Sequence, residues 1–124
     1  MSEGLLLFAH GARDARWAEP FQSVLTRVKE STQAPVELAF LELMDPGFDS
    51  AVDALVQAGC DRIKVVPLFL GQGGHVRRDL PDLIEKALAK HPLLSISAVD
   101  AAGETPAVLD ALVRYCLESG GPGA

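Results

Sequence analysis

Apolar and polar positions follow two alternating patterns along the chain, and these patterns predict four strands separated by helices. Short, nearly continuous apolar runs cover residues 4–9, 35–43, 62–70 and 93–99, and their length indicates buried strands, with the third run also rich in β-branched residues. After each run, from near residues 15, 45, 79 and 105, apolar residues recur every three or four positions, as on one face of a helix. Four successive strand–helix units predict an α/β fold with a parallel sheet and helices on both faces.

Local signals predict several helix ends and the face that each helix buries. Gly59 closes the second helix, Thr105 and Pro106 start the last one, and Asp79 caps the third, with Pro81 in its first turn. The inward positions predicted for the four helices are Phe21, Leu25 and Val28; Phe48, Ala51, Val52, Leu55 and Val56; Leu80, Leu83, Ile84, Ala87 and Leu88; and Leu109, Leu112, Val113 and Cys116.

The common strand order for this pattern is 2-1-3-4, as in flavodoxin-like sheets, with the first and third strands adjacent at the centre. The length favours one domain, residues 1–119, followed by a disordered tail of residues 120–124 with the sequence "GGPGA". Pro67 lies inside the third strand, where it lacks a backbone N–H, so we expect a local irregularity there.

Composition and charge exclude several classes of protein. A net charge of −6 argues against a general nucleic-acid binder, and no apolar run is long enough to span a membrane. The short apolar run near the N-terminus has no basic lead, which argues against a signal peptide. Cys60 and Cys116 have no metal-binding spacing. We therefore expect two reduced, partly buried thiols in a cytoplasmic protein.

Polar residues follow three of the predicted strands where each strand ends. His10 follows the first strand, Glu42 the second and His75 the third. In a 2-1-3-4 sheet these two imidazoles and one carboxylate converge on one crevice, and that ligand set suits cobalt, iron, nickel or zinc with positions left open. His91, at a helix C-terminus, is expected to be a surface residue favoured by the helix dipole.

The turn after the third strand is rich in glycine, and basic residues lie near both histidines. Gly71, Gly73 and Gly74 would let the backbone approach a bulky ligand. Basic side chains could bind an anionic small molecule, and the candidates are Arg13, Arg77 and Arg78. One alternative is a phosphate-binding turn, although the usual glycine spacings are missing. Another is a phosphohistidine mechanism, although no arginine precedes His10.

Three segments resemble a known family: "LLLFAHGARD", "VELAFLELMDP" and "VVPLFLGQGGHVRRDLP". They are similar to the small class II chelatases, namely the short CbiX proteins and the related sirohydrochlorin ferrochelatases. The resemblance runs from about residue 5 to residue 117 and is strongest through residue 82. At the first turn, where the family usually has GHGSRD, this chain has Ala9 and Ala12 in place of the first glycine and the serine.

The resemblance implies an enzyme, a metal chelatase of the lyase class. It would insert a divalent metal into sirohydrochlorin, a tetrapyrrole with eight carboxylates, in cobalamin or sirohaem synthesis. Cobalt is the favoured metal, with iron and nickel as the others, and no cofactor is bound permanently. The resemblance also implies a homodimer with its cleft between the subunits. A non-catalytic tetrapyrrole or metal carrier of the same fold is the alternative, and a structural or interaction module is a third possibility.

The resemblance also implies roles for individual residues. His10 and His75 would be metal ligands, His10 would also accept pyrrole protons, and Glu42 would be a third ligand. A neutral imidazole suits both tasks, since it can bind a metal and accept a proton near neutral pH. The macrocycle would be held by the loop after the third strand with one methionine beside it, namely Leu70, Gly71, Gln72, Gly73, Gly74, Val76 and Met44.

Overall fold

A parallel four-stranded sheet forms the centre of the molecule. The computed structural model describes residues 2–71 and 74–118, with the side chains of residues 2–71 and 78–118. The strands are β1 (Glu3–Ala9), β2 (Val36–Phe40), β3 (Arg62–Pro67) and β4 (Ser95–Ala98). They lie in the order β2-β1-β3-β4, and every neighbouring pair is parallel. The predicted α/β fold and strand order are confirmed.

Four α-helices and two short 3₁₀ helices connect and follow the strands. The α-helices are α1 (Glu19–Ser31), α2 (Phe48–Gln57), α3 (Gly74–Lys90) and α4 (Pro106–Glu118), and the 3₁₀ helices cover Ala15–Ala18 and Ala102–Glu104. Helix α1 packs on one face of the sheet, whereas α2 and α3 pack on the other. The predicted inward faces of these three helices are confirmed.

Strand β1 is buried on both faces because it lies inside the sheet between two helical layers. Its alternate residues Leu6 and Phe8 belong to the core beneath α2 and α3, and Leu7 and Ala9 to the core beneath α1. The Phe8 ring meets the rings of Phe48 and Phe69 edge-on, with centroids 5.4 and 5.8 Å apart. This tightly packed centre fixes the end of β1, where His10 follows.

Pro67 is the last residue of β3, which therefore ends three residues earlier than predicted. The Leu68 N–H still donates to the Phe8 carbonyl oxygen at 2.8 Å, so the pairing with β1 continues beyond the proline. On the other side, the pairing of β3 with β4 ends at Val65 and Ala98. The missing N–H of Pro67 thus costs no bond between strands, which is the physical reason a proline is tolerated here.

The predicted start of α3 at Asp79 is wrong, because the helix begins at Gly74. Asp79 is not a cap, and Pro81 lies inside the helix rather than in its first turn. Proline removes one hydrogen bond to the preceding turn. The helix nevertheless continues, because the residues after Pro81 pack against the core: Leu83, Ile84, Ala87 and Leu88. His75 therefore belongs to the first turn of a helix and not to a glycine loop.

The predicted burial of α4 is also wrong. Leu109, Leu112 and Val113 are between 37% and 56% exposed, and Cys116 is exposed as well. Cys60, the other cysteine, is buried. Among the described residues, no α4 side chain belongs to either core cluster, and the helix packs mainly against the preceding 3₁₀ helix. A periodic apolar pattern predicts that a helix face is covered, but it does not identify the covering surface.

Several smaller predictions have clear outcomes. Gly59, with a φ of +95°, follows α2 as expected, and the Thr105 hydroxyl accepts a hydrogen bond from the Val108 N–H at 3.4 Å at the start of α4. None of the helices in the described ranges is long and apolar enough to cross a membrane. Residues 119–124 lie outside the described residues, so the domain boundary and the disordered tail stay predictions. The cytoplasmic location also stays a prediction.

Candidate functional site

His10 and Glu42 meet at the carboxyl edge of the sheet. Strands β1 and β2 end at Ala9 and Phe40, but their pairing continues past those ends. The Leu41 N–H donates to the Ala9 carbonyl oxygen at 2.9 Å, and the Glu42 N–H donates to the His10 carbonyl oxygen at 3.1 Å. These bonds hold the two backbones side by side. Nε2 of His10 then lies 3.0 Å from Oε1 of Glu42.

This side-chain pair is accessible to solvent. The side chains of His10 and Glu42 are 38% and 49% exposed, so a ligand could reach both. With Glu42 ionised, the His10 Nε2–H donates to its carboxylate, which fixes the orientation and the tautomer of the ring. The structure therefore brings together two of the three residues predicted to converge, while their roles stay predictions.

Gly11 is required for the close approach of the two strand ends. Its φ is +102°, a backbone conformation that favours glycine. A Cβ at this position would lie 1.8 Å from the carbonyl oxygen of Glu42, which is far inside van der Waals contact. Any side chain at residue 11 would therefore push the backbone of Glu42 away from His10. In the sequence, the sign of this close approach is a glycine directly after His10.

Phe69 borders His10 from the β3 side, a neighbour that no motif in the sequence indicates. Its buried ring lies edge-on to the imidazole, with centroids 6.3 Å apart. The backbone of this segment is held by the 3₁₀ helix, where the Gly103 N–H donates to the Phe69 carbonyl oxygen at 2.8 Å. A Cβ on Gly103 would lie 1.6 Å from the carbonyl oxygen of Leu70, so this contact also requires a glycine.

An exposed apolar residue lies next to Glu42. Leu43 has a φ of +66°, which is costly for a non-glycine residue, and it is 58% exposed. After the cis Asp45–Pro46 peptide the chain returns, and the Phe40 N–H donates to the Pro46 carbonyl oxygen at 2.9 Å. Met44, predicted to lie beside the ligand, is half-buried and packs against the core beneath α1.

Other predicted ligand-binding residues have varied positions. Leu70 is 66% exposed, and Gly71, Arg13 and Arg78 are exposed as well. The backbones of Gly74, His75, Val76 and Arg77 form the first turn of α3, but their side chains lie outside the described residues, as do Gln72 and Gly73 entirely. The described side chains contain no cluster of three or more potential metal ligands. The ligand set of His10, His75 and Glu42 thus stays a prediction.

The basic residues after His10 differ in their surroundings. Arg16 binds Asp14, with Nη2 and Oδ2 2.9 Å apart, and Asp14 also accepts the Arg16 backbone N–H. The side chain of Arg16 is the main reason that the pKa of Asp14 lies below its usual value. Arg16 thus already contacts a carboxylate, although both side chains are exposed, and Arg13 stays the predicted partner of an anionic ligand on this loop.

His91 lies at the opposite edge of the sheet and differs from the prediction. It is half-buried rather than a surface residue, and its Nε2 lies 2.8 Å from Oδ1 of Asp53 on α2. Lys90 binds the other oxygen of the same carboxylate, with Nζ and Oδ2 2.7 Å apart. The helix dipole prediction missed this partner because Asp53 is 38 residues away along the chain.

Comparison with known proteins identifies relatives of the whole fold. The CbiX family model matches residues 4–119. A sirohydrochlorin ferrochelatase from Priestia megaterium is 29% identical over 118 residues, which cover 94% of this chain and 44% of that protein. The chain therefore spans less than half the length of this curated relative.

Two crystal structures resemble the molecule closely. A CbiX protein from Marinobacter aquaeolei VT8 has a TM-score of 0.82 and 33% identity, covering 94% of this chain and 95% of that one. The sirohydrochlorin chelatase SirB from Bacillus subtilis subspecies spizizenii, in complex with cobalt, has a TM-score of 0.83 and 28% identity, covering 95% of this chain and 51% of that one. With a family model matched over nearly its whole length, the chain belongs to the CbiX family.

Proposed function

We propose that this protein inserts a divalent metal ion into sirohydrochlorin, with His10 and Glu42 as ligands that hold the metal before transfer. The observation that carries the proposal is the exposed pair of these two side chains at the carboxyl edge of a parallel sheet, where α/β proteins bind ligands. Family membership and the names of the relatives support the same chemistry.

The distance within the pair suits a shared metal ion. Bonds of about 2.1 Å from a divalent ion to a histidine nitrogen and a carboxylate oxygen are typical. With a separation of 3.0 Å between Nε2 and Oε1, such bonds meet at roughly 90° at the ion. A metal on Nε2 would take the place of the proton between the two side chains, and that proton would move to Nδ1 of the same ring or leave to water. His75 would supply a third ligand from the first turn of α3.

The same pair can take part in proton transfer. Two pyrrole N–H groups of the tetrapyrrole must lose their protons as the metal enters the ring. Once the metal has left, the ring nitrogen of His10 would accept one of these protons and Glu42 would stabilise the resulting cation, while the second proton would leave to water. The site must also release the metal readily, which agrees with few protein ligands and open positions rather than a closed four-ligand site.

The rim of the site suits a flat, acidic ligand. Leu43 and Leu70 are exposed on either side of His10 and could contact the macrocycle, with Gly71 allowing a close approach. Arg13, Arg77 and Arg78 would bind the carboxylates of the substrate. In this proposal the metal is a substrate, with cobalt favoured over iron and nickel, and no cofactor is held permanently.

A second copy of the chain would complete the cleft. SirB carries about twice the length matched here, whereas the Marinobacter protein matches over nearly its whole length. A flat macrocycle bound at one open sheet edge exposes its other face to water. We therefore propose a homodimer, in which the two carboxyl edges enclose the substrate between them.

The test is anaerobic absorbance spectroscopy of sirohydrochlorin with catalytic amounts of protein and Co²⁺, followed by Fe²⁺ and Ni²⁺. We expect multiple turnovers above the spontaneous rate. His10→Ala should reduce the rate at least about 100-fold, because it removes both a metal ligand and the proton acceptor. Glu42→Gln should weaken metal binding by a smaller factor, since the amide oxygen is a neutral and poorer ligand.

His91→Ala is the matched control, because it removes the same side chain at the opposite edge of the sheet. It should leave the insertion rate unchanged. A spectral change only in proportion to the protein added would indicate a carrier instead of an enzyme. Equal rates for His10→Ala and the unmodified protein would exclude the proposed site.

A further inference from the structure

Helix α4 has a broad apolar surface that the single chain leaves exposed. Its only charged residues, Asp110, Arg114 and Glu118, are spaced four apart and form one narrow stripe. Much of the remaining helix surface is apolar and 37% to 81% exposed, namely Leu109, Leu112, Val113, Tyr115 and Leu117. Soluble proteins rarely leave a continuous apolar surface of this kind open unless another molecule covers it.

The sheet leaves a second surface open beside β4. Ile63 and Ile96 point into the core beneath α3, so Ser95 and Ser97, which alternate with Ile96, point to the α1 side. Both serines are exposed, and Val99 just beyond them is 43% exposed. We call these three residues the open β4 face. In sheets with helices on both sides, a helix normally covers such a face.

We propose that α4 forms the interface between two copies of this chain, with the apolar side of each α4 packed on the partner against its open β4 face. One molecule thus exposes both an uncovered helix and an uncovered sheet face, and a second copy supplies the complement of each. A symmetric pair of this kind is closed, because each copy gives and receives the same contact. This inference rests on the homodimer in the proposed function and specifies where its subunits meet.

The position of α4 places this interface beside the candidate site. The helix begins directly after the 3₁₀ helix Ala102–Glu104, whose Gly103 holds the Phe69 and Leu70 backbone. Ala101, before that turn, is buried at 1% exposure and anchors it to the core. A partner bound along α4 therefore lies close to the rim that Leu70 forms. This agrees with a cleft that two carboxyl edges enclose.

Light scattering after size-exclusion chromatography tests the proposal through two neighbouring substitutions. Leu112→Asp inserts a charge into the apolar side of α4, whereas Ala111→Asp inserts the same charge next to the stripe of charged residues. We expect the unmodified protein and Ala111→Asp to have twice the mass of one chain. The dissociation constant of the Leu112→Asp dimer should be at least 100-fold higher. A monomeric unmodified protein, or a Leu112→Asp variant that pairs as tightly, would overturn the proposal.

Cysteine reactivity gives a second test that needs no substitution. Cys116 lies on the apolar side of α4 and is exposed in the single chain, whereas Cys60 is buried in the core. If α4 is the interface, alkylation of Cys116 should be slow in concentrated protein and faster on dilution, while Cys60 stays slow at both concentrations. Fast alkylation of Cys116 in a sample with twice the chain mass would place the interface elsewhere and overturn the proposal.

The two proposals can fail separately. A protein that inserts metal as a monomer would contradict the α4 interface and leave the assigned activity intact. A dimer that is disrupted by Leu112→Asp but shows no turnover would support the interface and contradict the activity.

Discussion

At the residue scale, the candidate site depends on how closely two strand ends approach each other. Backbone hydrogen bonds hold the ends of β1 and β2 side by side, and Nε2 of His10 then lies 3.0 Å from Oε1 of Glu42. Gly11 makes those bonds possible, since its missing side chain leaves room for the Glu42 carbonyl oxygen. The spacing of the pair thus depends on Gly11, a residue that contributes no side chain to it.

Gly11→Ala should therefore damage the site more than the fold. The added methyl group cannot fit 1.8 Å from an oxygen, so the Glu42 backbone must move. A displacement of about 1 Å in a catalytic group can cost roughly 100-fold in rate, and we expect an insertion rate reduced to that extent. The strained backbone should also lower the free energy of unfolding by about 1–3 kcal/mol.

Gly47→Ala provides the control for this substitution. A Cβ at residue 47 has open space around it, so rate and stability should both stay close to those of the unmodified protein. Absorbance assays and urea unfolding measure the two quantities. A Gly11→Ala variant with full activity would show that the distance between His10 and Glu42 does not limit the reaction.

At the scale of secondary structure elements, α2 and α3 are joined by an ionic cluster at the edge opposite the site. Asp53 on α2 accepts hydrogen bonds from Lys90 and His91 at the end of α3. The Lys90 ammonium, followed by His91, holds the pKa of Asp53 below its usual value. In turn, the carboxylate of Asp53 raises the pKa of Lys90. The cluster therefore contributes stability that depends on pH.

The sign of this dependence follows from the lowered pKa of Asp53. Its contribution is complete above the pKa of an unfolded aspartate, and it is lost as pH falls through the lower pKa of the folded state. Asp53→Asn should therefore reduce stability near pH 7, with the difference from the unmodified protein shrinking towards pH 3. Urea unfolding over that range measures it.

Asp49→Asn is the matched control for Asp53→Asn. Asp49 is 3.6 Å from the same ammonium group and is 71% exposed, so water screens the pair and the effect should be smaller. If Asp53→Asn reduced stability equally at every pH, the loss would come from packing rather than from charge.

Strands and helices could be predicted from the sequence where the local residue pattern agrees with the tertiary packing. They were predicted less well where the local pattern and the packing conflict. The central strands and α2 are specified by their own residues, as with Phe48 and Leu55, which are both buried. The start of α3 was missed because glycine disfavours helices locally, while the core contacts of its later residues stabilise the whole helix. The approach of Phe69 to His10 depends on residues 59 positions apart, which no local pattern encodes.

At the scale of the whole molecule, one chain provides one sheet edge and one candidate metal pair. Helix α1 covers one face of the sheet and α2 and α3 cover the other, but α4 and the open β4 face remain uncovered. In the proposed function, a second copy supplies the surface that encloses the other face of the ligand. Activity should consequently depend on protein concentration.

The insertion rate per chain should fall when the protein is diluted below the concentration at which it pairs. We expect the midpoint of this fall to match the dissociation midpoint measured by light scattering at the same concentrations. An inert protein added to every dilution controls for adsorption to the vessel. A rate per chain that stays constant while the mass falls to that of one chain would show that a single copy is sufficient.

Gly103 lies in the turn before α4 and contacts Phe69 and Leu70, which border the candidate site. This contact connects α4 to the site. If dimerisation through α4 changes the position of this turn, it also changes the affinity of the site for its tetrapyrrole. Thermodynamic linkage then requires the reverse effect, so that a bound tetrapyrrole strengthens pairing by the same factor. The supply of substrate would in that case regulate the assembly of the enzyme that consumes it.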